Sequence, residues 1–111
     1  MVGRSPQRDE VWMIALDPTQ GVEIPKTRPC LVISPDEMNQ HLRTVVVAPM
    51  TTVIRPYPTR VEVRFQGKQG QVVLDQLRTV DRQRLRRKLG RVSSNTAEAV
   101  SAILIEMFRR V

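Results

Sequence analysis

The chain has 111 residues, 18 Lys and Arg against 11 Asp and Glu, and a formal net charge of +7. That length suits one small domain, residues 1–111, on one modest core and leaves no room for two. With 41% hydrophobic and 26% charged residues it reads as an ordinary soluble protein. No apolar stretch approaches bilayer-crossing length and residues 1–9 lack the apolar segment of a secretory leader, so no membrane association is expected and a cytoplasmic setting is. The basic excess favours a polyanionic or acidic partner, nucleic acid first.

Val11 to Leu16 reads as a first strand with Trp12 committed to the core, ending in the turn formers Asp17-Pro18-Thr19-Gln20-Gly21. A loop runs to Lys26, and Arg28 to Ser34 forms the second strand. The polar stretch Asn39-Gln40-His41 reads as an exposed loop before a third strand, Thr44 to Met50. Val61 to Phe65 alternates apolar and polar, Gly67 to Gly70 turns, and Gln71 to Leu74 follows. Short strands punctuated by Gly and Pro, with no helix between the early ones, predict a compact antiparallel barrel. Helices are expected late. Asp81 to Leu89 reads as a short helix stopped by Gly90, and a longer one capped by Ser93 runs from Ser94 to about Arg110. Its stripe of Val100, Ile103, Leu104, Met107, Phe108 and Val111 is expected to cover the barrel.

The chemistry available is narrow. Cys30 lies inside an apolar run, so it reads as a small buried side chain, not a catalytic thiol. With one Cys and one His in the chain, no zinc constellation can be built, and no clustered acidic motif suggests calcium or magnesium, so catalysis without metal or cofactor is expected. Arg78, Arg82, Arg84, Arg86, Arg87, Lys88 and Arg91 crowd a stretch whose only acid is Asp81. It reads either as a phosphate footprint or as a solvated helix face, and an acidic protein could use the same surface. Arg28, stiffened by Pro29, and the Thr51-Thr52 pair just past a strand are groups that could grip a phosphodiester without metal.

The spaced segments Asp9-Glu10-Val11-Trp12, Asp17-Pro18-Thr19-Gln20-Gly21, Glu23, Lys26-Thr27-Arg28-Pro29, Ser34-Pro35, Ala48-Pro49-Met50-Thr51-Thr52, Tyr57-Pro58 and Asp75-Gln76 resemble, in order, the MazF/PemK-type toxins of bacterial toxin–antitoxin systems. The likeness covers roughly residues 8 to 110. It implies an SH3-like antiparallel barrel with a C-terminal helix, and a sequence-selective endoribonuclease acting on single-stranded RNA. It also implies a homodimer neutralised by a cognate acidic antitoxin whose tail lies in the RNA groove. Arg28 and Thr51 match the family's catalytic arginine and threonine, with Thr52 as backup. Glu23 could orient Arg28 or accept a proton, although a carboxylate beside arginine is a weakened base. A salt bridge between Arg28 and Glu23 is the purely structural alternative.

Asp17, Thr19, Gln20, Lys26, Thr52, Arg55, Tyr57 and Gln76 are the candidate RNA contacts, Tyr57 by stacking on a base. Val22 departs from the family pattern, which commonly has a small polar residue there. RNA carries its own nucleophile, so attack by the 2′-hydroxyl would leave a 2′,3′-cyclic phosphate and a 5′-hydroxyl without a covalent enzyme intermediate. Two other readings stand beside this one: a non-enzymatic toxin of the same fold, like the CcdB group that binds DNA gyrase, and a plain RNA-binding barrel.

Overall fold

Alternating apolar residues from Val11 to Ile14 place side chains on both faces of a strand, and each face meets a different half of the core. The computed structural model describes residues 5–111; the expectation of no leader over residues 1–9 falls partly on residues 1–4, outside the described residues. Strands β1 (Glu10–Ala15), β2 (Thr27–Val32), β3 (Thr44–Thr51), β4 (Arg60–Phe65), β5 (Lys68–Val73), β6 (Arg78–Asp81) and β7 (Leu85–Arg91) join helices α1 (Asp36–His41) and α2 (Ser94–Phe108). The sheet order is β4-β5-β3-β2-β1-β7, with β6 also on β3, and every strand pairing among the described residues is antiparallel. It curls into a half-barrel. Its ends approach where Gln66 Nε2 donates to the Leu89 carbonyl at 3.3 Å.

Val11, Leu31, Ala48, Met50, Val61, Val63, Val72 and Leu74 form one core cluster with Val100 of α2, while Ile14, Cys30, Val32, Val45, Val47 and Val80 form the other. Both faces of the central strands are therefore buried, which is why β2 and β3 read as near-continuous apolar runs. β3 is the hub. Residues 44–49 pair with β2 and β6, then Met50 and Thr51 swing over to β5.

The expected barrel-like sheet and C-terminal helix are present, with four differences. Seven strands form, not five, and the segment expected as a helix over Asp81–Leu89 is the end of β6, a 3₁₀ turn over Arg82–Arg84 and most of β7. Pairing of β7 with β1 supplies hydrogen bonds that an exposed, arginine-rich helix would have lacked tertiary support for. A short helix, α1, occupies the expected loop at Asn39–His41, because buried Asn39 donates to the Ser34 carbonyl at 2.9 Å and anchors the turn from inside. The β4–β5 turn is only Gln66-Gly67, both at positive φ (50° and 77°), so Lys68 already begins β5.

Finally, α2 is capped by Ser93 as expected, its Oγ accepting from Thr96 N at 3.2 Å, but it ends at Phe108. Eight residues past Val100, Phe108 is rotated by about 80° from it. It lies off the packed stripe and is 68% exposed, and Val111 is exposed beyond the helix.

One buried acid staples the amino end to the sheet. Glu10, 2% exposed, accepts from Gln7 N at 2.9 Å and Trp12 Nε1 at 3.0 Å, and pairs with Lys88 at 3.0 Å. Trp12 is thus half-buried with a polar tether, not wholly committed to the core. Burial alone would raise the Glu10 carboxyl, but the donors from Gln7, Trp12 and Lys88 outweigh it and hold the carboxyl below its ordinary value of 4.5. A lowered carboxyl contributes stability that is present above its ordinary value and is lost as pH falls through the folded one. Glu10→Gln is expected to cost about 1–3 kcal/mol in urea unfolding near neutral pH and to show a shallower acid limb than the wild type. Parallel acid limbs for the two proteins would refute this role.

Candidate active site

Proline has no N–H to donate to a strand ladder. The β2–β3 ladder runs from Val32–Val47 through Leu31–Ala48 to Cys30–Pro49 and stops there, with Pro29 next in β2. Beyond that point the two strands make no pairs with each other, β3 passing to β5 at Met50 and Thr51, and Arg28 near the start of β2 and Thr51 at the end of β3 border one cleft. The strands open where the chemistry-bearing residues stand.

Arg28 is anchored at one nitrogen: Nε donates to the Pro25 carbonyl at 3.1 Å. Its terminal nitrogens make no hydrogen bond among the described residues, so the guanidinium keeps a two-pronged fork for an anion. Thr51 Oγ1 accepts from Val53 N at 3.1 Å, which occupies one lone pair and leaves its proton free to donate. Behind it, Gly70 is required. A Cβ there would stand 2.5 Å from the Thr51 carbonyl oxygen, so only glycine lets β5 approach this closely.

Arg28, Thr51 and Thr52 line a cleft of about 320 Å³ with an apolar floor that includes Met13, Met50, Phe65 and Leu89. Lys68 and Arg87 complete its charged lining, and no carboxylate takes part. A second cavity of about 350 Å³ is lined by Glu23, Ile24, Pro49, Asp75, Gln76, Leu77 and Arg78. Arg28 and Thr51 line the first cavity only, while Pro49, at the last rung of the ladder, lines the second.

Glu23 makes no hydrogen bond or ion pair to Arg28 among the described residues. One of its oxygens accepts from Gln20 N at 2.8 Å, closing its own turn. The salt-bridge alternative for Arg28 therefore lacks its partner. Cys30 is fully buried behind Arg28, and burial pushes its thiol up to about 12 against the pull of Arg28 and Arg78. It cannot supply a thiolate. In the second cavity, burial would raise Asp75, but hydrogen bonds from Arg60 and Thr59 keep it below the usual carboxylate value. Those donors both use Oδ1, at 3.2 and 3.0 Å. Among the described residues no group of three or more His, Cys, Asp or Glu is placed to hold a metal.

The expected RNA contacts divide. Thr52 lines the cleft. Gln76 is spent within the protein: its Oε1 accepts from Ile24 N at 2.8 Å and its Nε2 donates to the Val22 carbonyl at 3.5 Å. This tether shapes the loop between β1 and β2, on which Asp17, Gln20 and Lys26 stay exposed and Thr19 is half-buried. Asp17 accepts from Thr19 at 3.4 Å, while its carbonyl is held by Arg84. Lys26, at φ 71°, turns the chain into β2. Val22, the departure from the family pattern, is 94% exposed on this loop. Buried Gln71 clamps both backbone groups of Arg55, at 3.1 and 2.9 Å, fixing the loop after Thr51. Tyr57 is half-exposed, but Arg60 already lies over its ring at 5.0 Å, leaving one face for a base.

The basic stretch is not one footprint. Arg82, Arg84, Arg86 and Arg91 donate to backbone carbonyls, and Lys88 pairs with Glu10. Arg87 alone of the stretch lines the cleft. Reading the segment as helix hid this, and the register shift that turns Leu85 away from the face of Arg87 and Leu89 left no clean alternation to find.

Comparison with known proteins agrees with the architecture. Residues 7–108 match the family model described as PemK-like, MazF-like toxin of type II toxin-antitoxin system. A relative from Staphylococcus epidermidis named Endoribonuclease MazF is 36% identical over 89 residues, which is 75% of this chain and 74% of the relative. A crystal structure of MazF from Deinococcus radiodurans superimposes with a TM-score of 0.85 at 24% identity, over 97% of this chain and all of that one. An endoribonuclease in complex with its cognate antitoxin, from a mycobacterial species, gives 0.78 at 26% identity, over 92% and 93% of the two chains. No helix is long and apolar enough to cross a membrane among the described residues. The matched span, together with the end-to-end likeness of the fold, makes this chain a member of the PemK-like, MazF-like family of type II toxins.

Proposed function

We propose that this chain is a metal-independent, sequence-selective endoribonuclease that cleaves single-stranded RNA in the cytoplasm, acting as a homodimer of single-domain protomers and restrained by a cognate acidic antitoxin. The observation that carries the reading is the meeting of Arg28 and Thr51 in one cleft at the point where β2 and β3 part. The name of the Staphylococcus relative and the antitoxin-bound mycobacterial structure support the activity and the partner, and the net charge of +7 suits both polyanions.

In this mechanism the scissile phosphate sits in the cleft against Arg28 and Thr51. The free fork of Arg28 takes two non-bridging oxygens and the Thr51 hydroxyl donates to one of them, meeting the charge that grows as the 2′-oxygen attacks. The ribose supplies the nucleophile, so positioning and charge stabilisation are the protein's main tasks. Arg28 serves as an electrostatic hydrogen-bond donor, not a base. Glu23 retains one oxygen beyond its turn-closing hydrogen bond, and it is assigned to the second cavity's side of the substrate. The loops after Ala15 and Thr51, pinned by Gln76, Arg84 and Gln71, set the recognised sequence.

Purified protein in chelator is expected to cut a long single-stranded RNA into fragments with 2′,3′-cyclic phosphate and 5′-hydroxyl ends, read by mass spectrometry. Products with 3′-hydroxyl and 5′-phosphate ends would refute the mechanism, and intact RNA would favour a non-enzymatic toxin. Arg28→Ala should keep the thermal transition and lose at least about a hundredfold in cleavage rate. Gly70→Ala should also lose cleavage through displacement of Thr51, with a lowered melting temperature that Arg28→Ala does not share. Full activity in Gly70→Ala would show that the Thr51 backbone position is unimportant.

A further inference from the structure

We infer that Lys68 and Arg87 form a second phosphate subsite, which holds a linkage of the RNA strand next to the one cleaved. This rests on the ribonuclease reading above and adds a binding pair that lies outside the Arg28–Thr51 centre.

Three observations converge on it. The cleft lining carries Arg28, Lys68 and Arg87 with no acid to neutralise them, so its field favours an anion. Neither Lys68 nor Arg87 makes a side-chain hydrogen bond or ion pair among the described residues, whereas Arg82, Arg84, Arg86, Lys88 and Arg91, around Arg87, are all committed elsewhere. The backbone, finally, aims Arg87 here. β7 shifts register against β1 at two places, so that Lys88 faces Trp12 and Arg87 faces Met13 between the irregularities. Lys88 thereby turns to Glu10 on one side of the sheet, and Arg87 takes the opposite side with Met13, which lines the cleft.

The spacing suits a flanking phosphate and not the scissile one. Met13 pairs with Pro29 on one side and Arg87 on the other, which puts Arg87 two strands, about 10 Å, from the residue beside Arg28. Lys68 stands three residues along β5 from Gln71, the partner of Thr51, again about 10 Å away. One phosphate cannot meet both sets of cations, but successive phosphates of one extended strand can.

The test maps the cut site on mixed RNA and then uses a synthetic single-stranded oligonucleotide containing it, with one linkage at a time made neutral as a methylphosphonate. In the wild type, one flanking linkage is expected to raise KM about tenfold when neutralised. Arg87→Gln and Lys68→Gln should each raise KM for the unmodified strand severalfold, with kcat moving less, and should no longer respond to neutralisation of that linkage. The slope of log binding against log salt should fall by about 0.7 for each cation removed. Melting curves show that the variants are folded. Equal sensitivity of wild type and variants at every linkage would overturn the subsite, and so would variants that bind RNA normally but lose only the antitoxin. If the wild-type protein cuts no RNA at all, it is the ribonuclease reading that fails.

Discussion

The missing N–H of Pro29, which would have faced β3 in the next rung of the ladder, is the constraint on which this molecule turns. A ladder between two central strands normally continues until a loop ends it. Here β2 and β3 stay in register to Cys30–Pro49 and then separate while both are still extended. β3 transfers its last two residues to β5, and Arg28 and Thr51 are left bordering one cleft at the opening. The site is thus built on rigid strand ends within one sheet, where a buried core on both faces fixes each residue's position. Such placement suits chemistry that depends on alignment, since a small displacement of a positioned group can cost much of the rate.

The surroundings serve the same end by different physical means. Gly70 removes a side chain so that β5 can approach Thr51. Gln71 and Gln76 each spend a whole amide on holding a loop. Four arginines of the basic stretch do similar work, donating to carbonyls that have no strand partner. A guanidinium with five donors on a long stem can satisfy such carbonyls at the rim without being buried. The surplus positive charge is therefore partly architectural. Counting arginines overstates how many are free to meet an external anion.

Much was legible without coordinates where local chemistry and pattern agree. The first four strands, the cap of α2 by Ser93 and the buried Cys30 all follow from apolar alternation and turn residues. The misreadings share one cause. Leu85 and Leu89 lie four apart, which fits a helix face, yet in the strand they pack against different core clusters because β7 shifts register between them. Nothing local separates helix from strand in so short a segment. Phe108 similarly continues the helical spacing, yet the stripe has rotated off the core by that point.

What the chain determined by itself was therefore composition, charge, the set of short strands with a terminal helix, and the residue types able to grip a phosphodiester. What the tertiary structure alone decided was partnership. It gave β7 to β1, tied Gln76 to the 22–24 loop, separated Glu23 from Arg28 and left Lys68 and Arg87 uncommitted in one cleft. The physical reason is that hydrogen bonds and ion pairs between residues fifty or more positions apart depend on sheet order and register. Those are set by which apolar faces bury together, a property of the whole fold that no local window contains.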